Sequence, residues 1–341
     1  MASYREEFVA ELLRRRPDVA LYCGSAHFDP TVTLSSAIAL KSKPLKNRFF
    51  CRRRLLWQSG AVRAGIRPSC AVLEFNPRII SVWVLLAVRG LLRKRSILWG
   101  HAWPRKGSQS RTAVIRQGMA RLADGVLVYT PRDREELARA VRCPVYVAPN
   151  AVCSRKSVTL VPGSATDVLQ IGRLVSGKRP LLTVEAWAKV CDDMPDSQLV
   201  FVGTGPLAQE VLQYAQSLDI SERIQMRGHI SDPKVLAVIF ANSLCSVSAG
   251  YAGLSITQSF SQGVPALIAD NEPHSPEIAI ATEGNSKYFR AGDPSDLARG
   301  IIEFWSARQV WLDRRGEISG ETLRDYSVET MADGFLTAAH P

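Results

Sequence analysis

Two short stretches of the sequence carry residues suited to holding an anion. In "LQIGRLVSGKRP", residues 169–180, Arg173 and Lys178 stand five apart behind Gly172. Arginine offers a planar fork and lysine a point charge, a pair that suits a diphosphate. A solvated basic loop would show the same spacing. In "GYAGLSITQ", residues 250–258, Gly253 leaves backbone bare for a ligand. A helix starting near Leu254 would add unpaired N–H groups and the positive end of its dipole. An anion or sugar hydroxyls would bind there without a charged side chain. The stretch itself carries no carboxylate; Gly250 and Gln258 stand at its two ends.

A third stretch, "VGTGPLAQEV" (202–211), matches a strand followed by GxGxxA and a helix, through Gly203 and Gly205. A dinucleotide fingerprint also wants an acid about 20 residues on, closing the next strand. "RIQMRGHI" ends without one, and Pro206 starts the helix at once. The stretch therefore reads as a tight strand-to-helix turn, and NAD is not expected. "DNEPHSPEI" (270–278) carries His274, Ser275 and Glu277 around a helix start at Pro276. Ser275 reads as an N-cap with Glu277 in the first turn; a ligand contact by Glu277 stays open. "LEFNPRI" (73–79) ends a strand, making Glu74 and Arg78 acceptor-side candidates.

The elements that must position these residues alternate. Expected strands are 19–24, 71–75, 97–101, 125–130 and 145–148, then 168–172, 199–203, 223–228, 244–248 and 266–270. Expected helices include 3–15, 133–140, 181–191, 207–217 and 233–241. Such alternation gives βαβ units and parallel sheets covered on both faces. The polar, turn-rich segment 153–167 marks the boundary. The expected fold is α/β, with two Rossmann-like doubly wound parallel-sheet domains facing across a cleft. The domains are 1–155 and 156–322, with a closing helix in 323–341 that Ser327 caps. Ligands of such sheets bind beyond the carboxyl ends of the strands.

Composition bounds the function. The chain has 341 residues, 46% hydrophobic and 22% charged, which excludes wholesale disorder. No apolar run approaches the ~20 residues of a membrane span, and the N-terminus lacks a secretory signal. Seven scattered cysteines without a CxxC pair argue for reduced thiols in a cytoplasm and against a metal site. The first 150 residues carry 27 Lys and Arg against 10 Asp and Glu, a balance of +17; the rest carry 16 against 22, or −6. The first half therefore meets something anionic. "KSKPLKNRFFCRRR" (41–54) concentrates that charge around two phenylalanines. Two readings stand side by side: a peripheral contact with anionic lipid on the inner membrane face, and a solvated loop. No nucleic-acid motif is present.

Taken together, these stretches resemble family 4 retaining glycosyltransferases, whose GT-B fold has two Rossmann-like domains. The resemblance spans nearly the whole chain and is most specific in the second half. It implies that "GRL…K" supplies phosphate-binding Arg173 and Lys178, with Gly172 beside them. "VGTGP" then corresponds to the turn carrying Gly203 and Gly205, and "MRGHISD" to a loop in which His229 and Ile230 meet the nucleotide. "GVPALIAD" resembles the strand closing the donor site. "ILWGHAWPRKG" places His101 at the donor sugar; a hydrogen-bonded strand-end histidine is the plainer reading. "VAPNAV" resembles the loop before the linker, and "YSVETMADGFL" the closing helix. The family's Glu-x7-Glu pair falls on Gly250 and Gln258. Gln258 can keep the ribose contact by donating and accepting hydrogen bonds, whereas Gly250 cannot replace a carboxylate. Gly253 and Leu254 hold phosphate, and His274, Ser275 and Glu277 form the donor-sugar loop. The family's first strand and glycine-rich loop would precede the helix "YREEFVAELLRRR", where only Met1–Ser3 stand. The first sheet is therefore either shortened or built differently.

The implied activity is retaining transfer of a sugar from a nucleotide-sugar donor to a lipid-linked or saccharide acceptor, without cofactor or metal. His101, Arg173 and Lys178 would carry it. The alternatives are a GT-B binding or partner subunit that has lost catalysis and, with the missing acid against it, a dinucleotide oxidoreductase.

Overall fold

The computed structural model describes residues 1–28, 32, 34–104 and 107–340. Arg105 and Lys106 of the "ILWGHAWPRKG" segment lie outside them. The chain forms two units, Met1–Val152 joined by the segment from Val328, and Cys153–Ser327.

In the first unit four parallel strands run in the order β4 (Cys70–Glu74), β5 (Arg95–Trp99), β6 (Gly125–Val128), β7 (Val145–Val147). Helices on both faces cover the middle of this sheet, where Ile97, Leu98, Val126 and Leu127 are fully buried. Ahead of them lies a separate three-stranded sheet: β1 (Tyr22–Gly24), β2 (Lys43–Phe50) and β3 (Leu55–Ser59). β1 pairs with β2 in parallel and β2 with β3 antiparallel. Ahead of the parallel strands the first unit thus carries a hairpin, whose first strand and tip come from the basic stretch 41–54. That stretch is neither a loop nor structureless, because Leu45 and Leu56 alternate inward while its cations face out. The helix Val328–Ala339 packs on the helix Glu6–Arg15, with Phe335 between Phe8 (4.8 Å) and Trp99 (4.6 Å).

Buried cations stabilise this unit. Arg89, in the helix Ile80–Leu91, is wholly buried and donates to the carbonyls of Gly65, Pro68, Ser69 and Arg95 and to Ser96 Oγ. Burial pulls its pKa below the usual arginine value. Removing the side chain would leave four carbonyls and Ser96 Oγ without this donor at once.

The second unit holds six parallel strands: β8 (Asp167–Ile171), β9 (Leu199–Val202), β10 (Ile224–Met226), β11 (Ser243–Ser248), β12 (Ala266–Ala269) and β13 (Ser286–Phe289). Their order is β10-β9-β8-β11-β12-β13. The chain therefore winds outward one way from β8 and the other way from β11. Between those two strands lies the topological switch point, where α/β sheets open a crevice at their carboxyl ends. Of these six strands, β13 alone has no counterpart among the expected ones, as β2 and β3 have none in the first unit: "SKYF" is short, and Lys287 and Tyr288 are partly solvated. None of the seven cysteines is bonded to another. No helix of the described residues is long and apolar enough to cross a membrane.

Candidate functional site

Two turns face one another at the switch point of the second unit. The first leaves β8 at Gly172 and runs through Arg173 to Lys178, where the helix Pro180–Ala188 begins. Gly172 has φ +133°, and a Cβ there would meet nothing within 4 Å. The bare backbone of the site is therefore Gly172's. The second turn leaves β11 at Ala249 and reaches the helix Leu254–Ser261 across Gly250–Gly253.

Tyr251 joins the two turns. Its N–H donates to Gly177 O (3.2 Å), and its carbonyl accepts from Lys178 Nζ (2.8 Å). The Lys178 ammonium also lies 4.0 Å from the centroid of the Tyr251 ring, and the Tyr251 hydroxyl accepts from Arg173 at 3.5 Å. The end of the first turn is held from beneath by Gln170, whose Nε2 donates to Lys178 O at 2.9 Å. Tyr251 and Gln170 are the positions at these turns that the sequence did not single out. Gln170 had a signal, a polar residue within the buried strand "DVLQI"; Tyr251 had none.

Gly250 has a structural reason to be glycine. A Cβ there would lie 2.2 Å from Gly177 O and 3.2 Å from the Lys178 carbonyl carbon. The position is closed by backbone, so no side chain of any kind reaches a ligand from it. Gly253 also differs from expectation. Its missing Cβ faces Ser275 Oγ at 3.3 Å and not open space. What the turn offers a ligand is the start of the helix at Leu254, whose first N–H groups have no intrahelical partner.

His274 locks the second turn. Its Nδ1 accepts from the Ala252 N–H (2.8 Å), so its Nε2 carries the hydrogen and donates to Ala269 O (2.9 Å). Burial lowers its pKa below 6.5, against the raising effect of the Ala269 bond, and keeps the ring neutral. Ser275 donates its N–H to Ala252 O at 2.9 Å. It occupies the N-cap position of a short 3₁₀ turn, Pro276–Ile280, but its hydroxyl makes no cap bond, so the expected side-chain cap is not formed. Glu277 is only 1% exposed. Gln258 lies half-buried on the helix Leu254–Ser261. Arg179, with φ +46°, pairs with Glu272 at 2.6 Å and ties the first turn to the loop after β12.

Gly203 and Gly205 serve packing. A Cβ on Gly203 would sit 1.9 Å from Gly172 O, and one on Gly205 2.3 Å from Leu174 O. The GxG spacing lets the turn after β9 close on the turn after β8, which supports the Gly172–Lys178 loop from one side. His229 is exposed and Ile230 half-buried in the loop after β10.

In the first unit the candidates lie beyond β4 and β5. His101 is exposed, stands edge-on to Tyr129 at 4.9 Å and accepts at its carbonyl from Arg116 (2.7 Å). Arg116 also donates to Phe75 O (2.8 Å), clamping the ends of the two strands together. Glu74 accepts from Asn76 (3.1 Å). Arg78 is committed elsewhere: its guanidinium donates to the carbonyls of Arg54 (2.8 Å) and Arg53 (2.7 Å) and stacks on Phe28. Among the described residues no three His, Cys, Asp or Glu side chains gather closely enough to hold a metal ion.

Two Rossmann-like units, the second ordered around a switch point, define the GT-B fold. Residues 155–315, within the second unit, match the family "Glycosyl transferases group 1". The chain is 27% identical over 183 residues to a GDP-mannose-dependent alpha-(1-6)-phosphatidylinositol dimannoside mannosyltransferase of Mycobacterium tuberculosis, a match covering 50% of this chain and 47% of that protein. It is 23% identical over 226 residues to a phosphatidylinositol N-acetylglucosaminyltransferase subunit of Arabidopsis thaliana, covering 60% and 51%. The chain thus spans about half the length of these curated relatives. Among solved structures, Anabaena HepE in complex with UDP shares its fold with a TM-score of 0.73 at 14% identity, covering 97% of this chain and 94% of that one.

Proposed function

We propose that this protein is a glycosyltransferase of the family 4 type, moving a sugar with retention from a nucleotide-sugar donor to a lipid-linked or saccharide acceptor. The observation that carries the reading is the pair of cations at the switch point. Arg173 and Lys178 meet the Gly250–Gly253 turn and the start of the helix Leu254–Ser261. Two cations and a helix N-terminus stabilise the negative charge that develops on a departing diphosphate. The group 1 match over the same residues and the UDP held by HepE favour a nucleotide diphosphate there. The phosphatidylinositol in both relatives' names favours a lipid acceptor.

Retention is proposed with the acceptor attacking the face that the diphosphate leaves, so that no carboxylate nucleophile is needed. A retaining glycosidase, by contrast, sets two carboxyl groups about 5 Å apart. We assign transfer to His101, Arg173 and Lys178, the nucleotide ribose to Gln258, and the base side to His229 and Ile230. Glu74 is assigned to the acceptor side. No cofactor or metal enters the scheme. The closed position 250 favours one second reading, a protein that binds the donor without transferring it.

Calorimetric titration with UDP, GDP and dTDP, followed by a screen of the matching nucleotide sugars for release of the nucleoside diphosphate, separates the two. Binding with sugar-dependent release is expected. Binding without release would establish the second reading, and no binding at all would sink both.

A further inference from the structure

The hairpin β2–β3 carries its charge in a specific place. Directly opposed residues of an antiparallel pair share a face, so the register puts Lys46, Arg48, Phe50, Leu55 and Trp57 on one side. Lys46, Arg48 and Phe50 are exposed there, Phe50 at 48%. The four residues Cys51–Arg54 close the hairpin, and all four are exposed. Cys51, Arg52 and Arg53 have φ of +51°, +52° and +63°, a left-handed run that residues with side chains rarely hold. It is kept in place from outside. Arg78 donates to the carbonyls of Arg53 and Arg54, Arg53 donates to His27 O at 2.6 Å, and the Arg53 guanidinium stacks on Phe49 at 4.1 Å. Phe49 in turn meets Phe28 edge-on at 5.5 Å.

The result is a fixed tip in which Arg53 serves as structure. Arg52 and Arg54 line an open concavity together with Cys51. The tip also lies at the functional edge of its unit. Arg78 belongs to the segment leaving the carboxyl end of β4, and Phe75 in that segment is clamped with His101 by Arg116.

We propose that this tip is a binding site for a phosphate or diphosphate ester of an apolar chain, with Arg52 and Arg54 on the phosphate and Phe50 and Trp57 beside the chain. Guanidinium forks match phosphate oxygens, and rings flanked by cations suit the boundary between a headgroup and its hydrocarbon. The proposal rests on the acceptor half of the function given above and names the acceptor's anionic group. One chemistry has two sources, the headgroup of the acceptor itself and that of the surrounding lipid.

The test uses the full chain and its Arg52→Ser/Arg54→Ser variant, which leaves Arg53 and Arg78 in place. The probes are geranyl diphosphate by calorimetry and phosphatidylglycerol-containing vesicles by co-sedimentation. Binding is expected to weaken roughly a hundredfold in the variant, the worth of two charge-assisted hydrogen bonds, and to return in part with Arg52→Lys/Arg54→Lys. Loss of the soluble diphosphate assigns the site to the acceptor; loss of vesicle binding alone assigns it to surrounding lipid. Wild-type affinity in the serine variant, no binding of either probe by the wild type, or tighter binding of an oligonucleotide through the same arginines would overturn it. UDP titration of the same samples reads the second unit. A wild type that takes geranyl diphosphate but no UDP would sink the donor reading while leaving this one standing.

Discussion

Two cationic turns, one in each unit, stand beyond the carboxyl ends of their strands and are built in opposite ways. At the switch point of the second unit the cations are half-buried and already tied down: Lys178 to the Tyr251 carbonyl and ring, Arg173 to its hydroxyl. Glycines let backbone close on backbone there, at Gly250 against Gly177 and at Gly203 against Gly172. The hairpin tip of the first unit has no glycine. It presents exposed arginines on left-handed residues that Arg78 and the phenylalanines hold. The first design fixes side chains and backbone alike, so a ligand held there would leave little ordering to be done on binding. The second presets only the backbone and leaves long side chains to adapt, which suits a charged group on a variable chain.

The largest effect that would break this comparison lies in the preset turn. Arg173→Ala and Lys178→Ala are each expected to lower transfer by about 10²–10³-fold, the range for removing one group that stabilises developing charge. UDP affinity by calorimetry should fall with it while thermal unfolding stays cooperative. Tyr251→Phe deletes the long 3.5 Å contact to Arg173 while keeping the ring over Lys178, and should cost less than either cation. An equal loss in Tyr251→Phe would mean that the tyrosine, and not the cations, carries binding.

Next in size is the attempt to restore the carboxylate that the sequence lacks. Gly250→Glu places a Cβ 2.2 Å from Gly177 O. The two turns must then separate, at about 3 kcal/mol of overpacking. Urea unfolding should show the lower midpoint, and UDP affinity should fall. A Gly250→Glu variant that is stable and more active would show that position 250 opens to the ligand after all.

The parts of this design legible in the sequence are those that rest on local chemistry. Strands such as "LVFV" and "ALIA" announce themselves by being apolar throughout, because parallel strands are buried on both faces. Arg173 and Lys178 follow a strand end, and the structure places them at the switch point. What depended on nonlocal backbone contact was not legible. Gly250 looks like a lost glutamate until the Gly177 carbonyl is seen against it, and the tight turn read at Gly203 shows its backbone partner only once Gly172 is seen. The hairpin stayed hidden because cations mask the alternation of Leu45, Asn47 and Phe49, and because no turn residue marks Cys51–Arg54. The left-handed backbone of Cys51–Arg53 is held by Arg78, more than 20 residues away.

The smallest effect concerns pH and sharpens the idea that the switch-point turn is preset. His274 accepts the Ala252 N–H only while Nδ1 is bare. Burial, the largest influence, lowers its pKa in the folded protein below the ordinary 6.5. As pH falls through 6.5 the unfolded chain takes up a proton that the folded one refuses. Stability therefore declines below 6.5 and levels off once pH passes the folded value; above 6.5 this residue contributes no slope. Asparagine can keep an acceptor near the Nδ1 position and does not titrate. Thermal unfolding of the wild type should thus fall more steeply between pH 7 and pH 5 than that of His274→Asn, whatever the other groups contribute to both. Parallel curves for the two proteins would show that the turn holds Ala252 without the imidazole, and that its geometry comes from the glycine contacts alone.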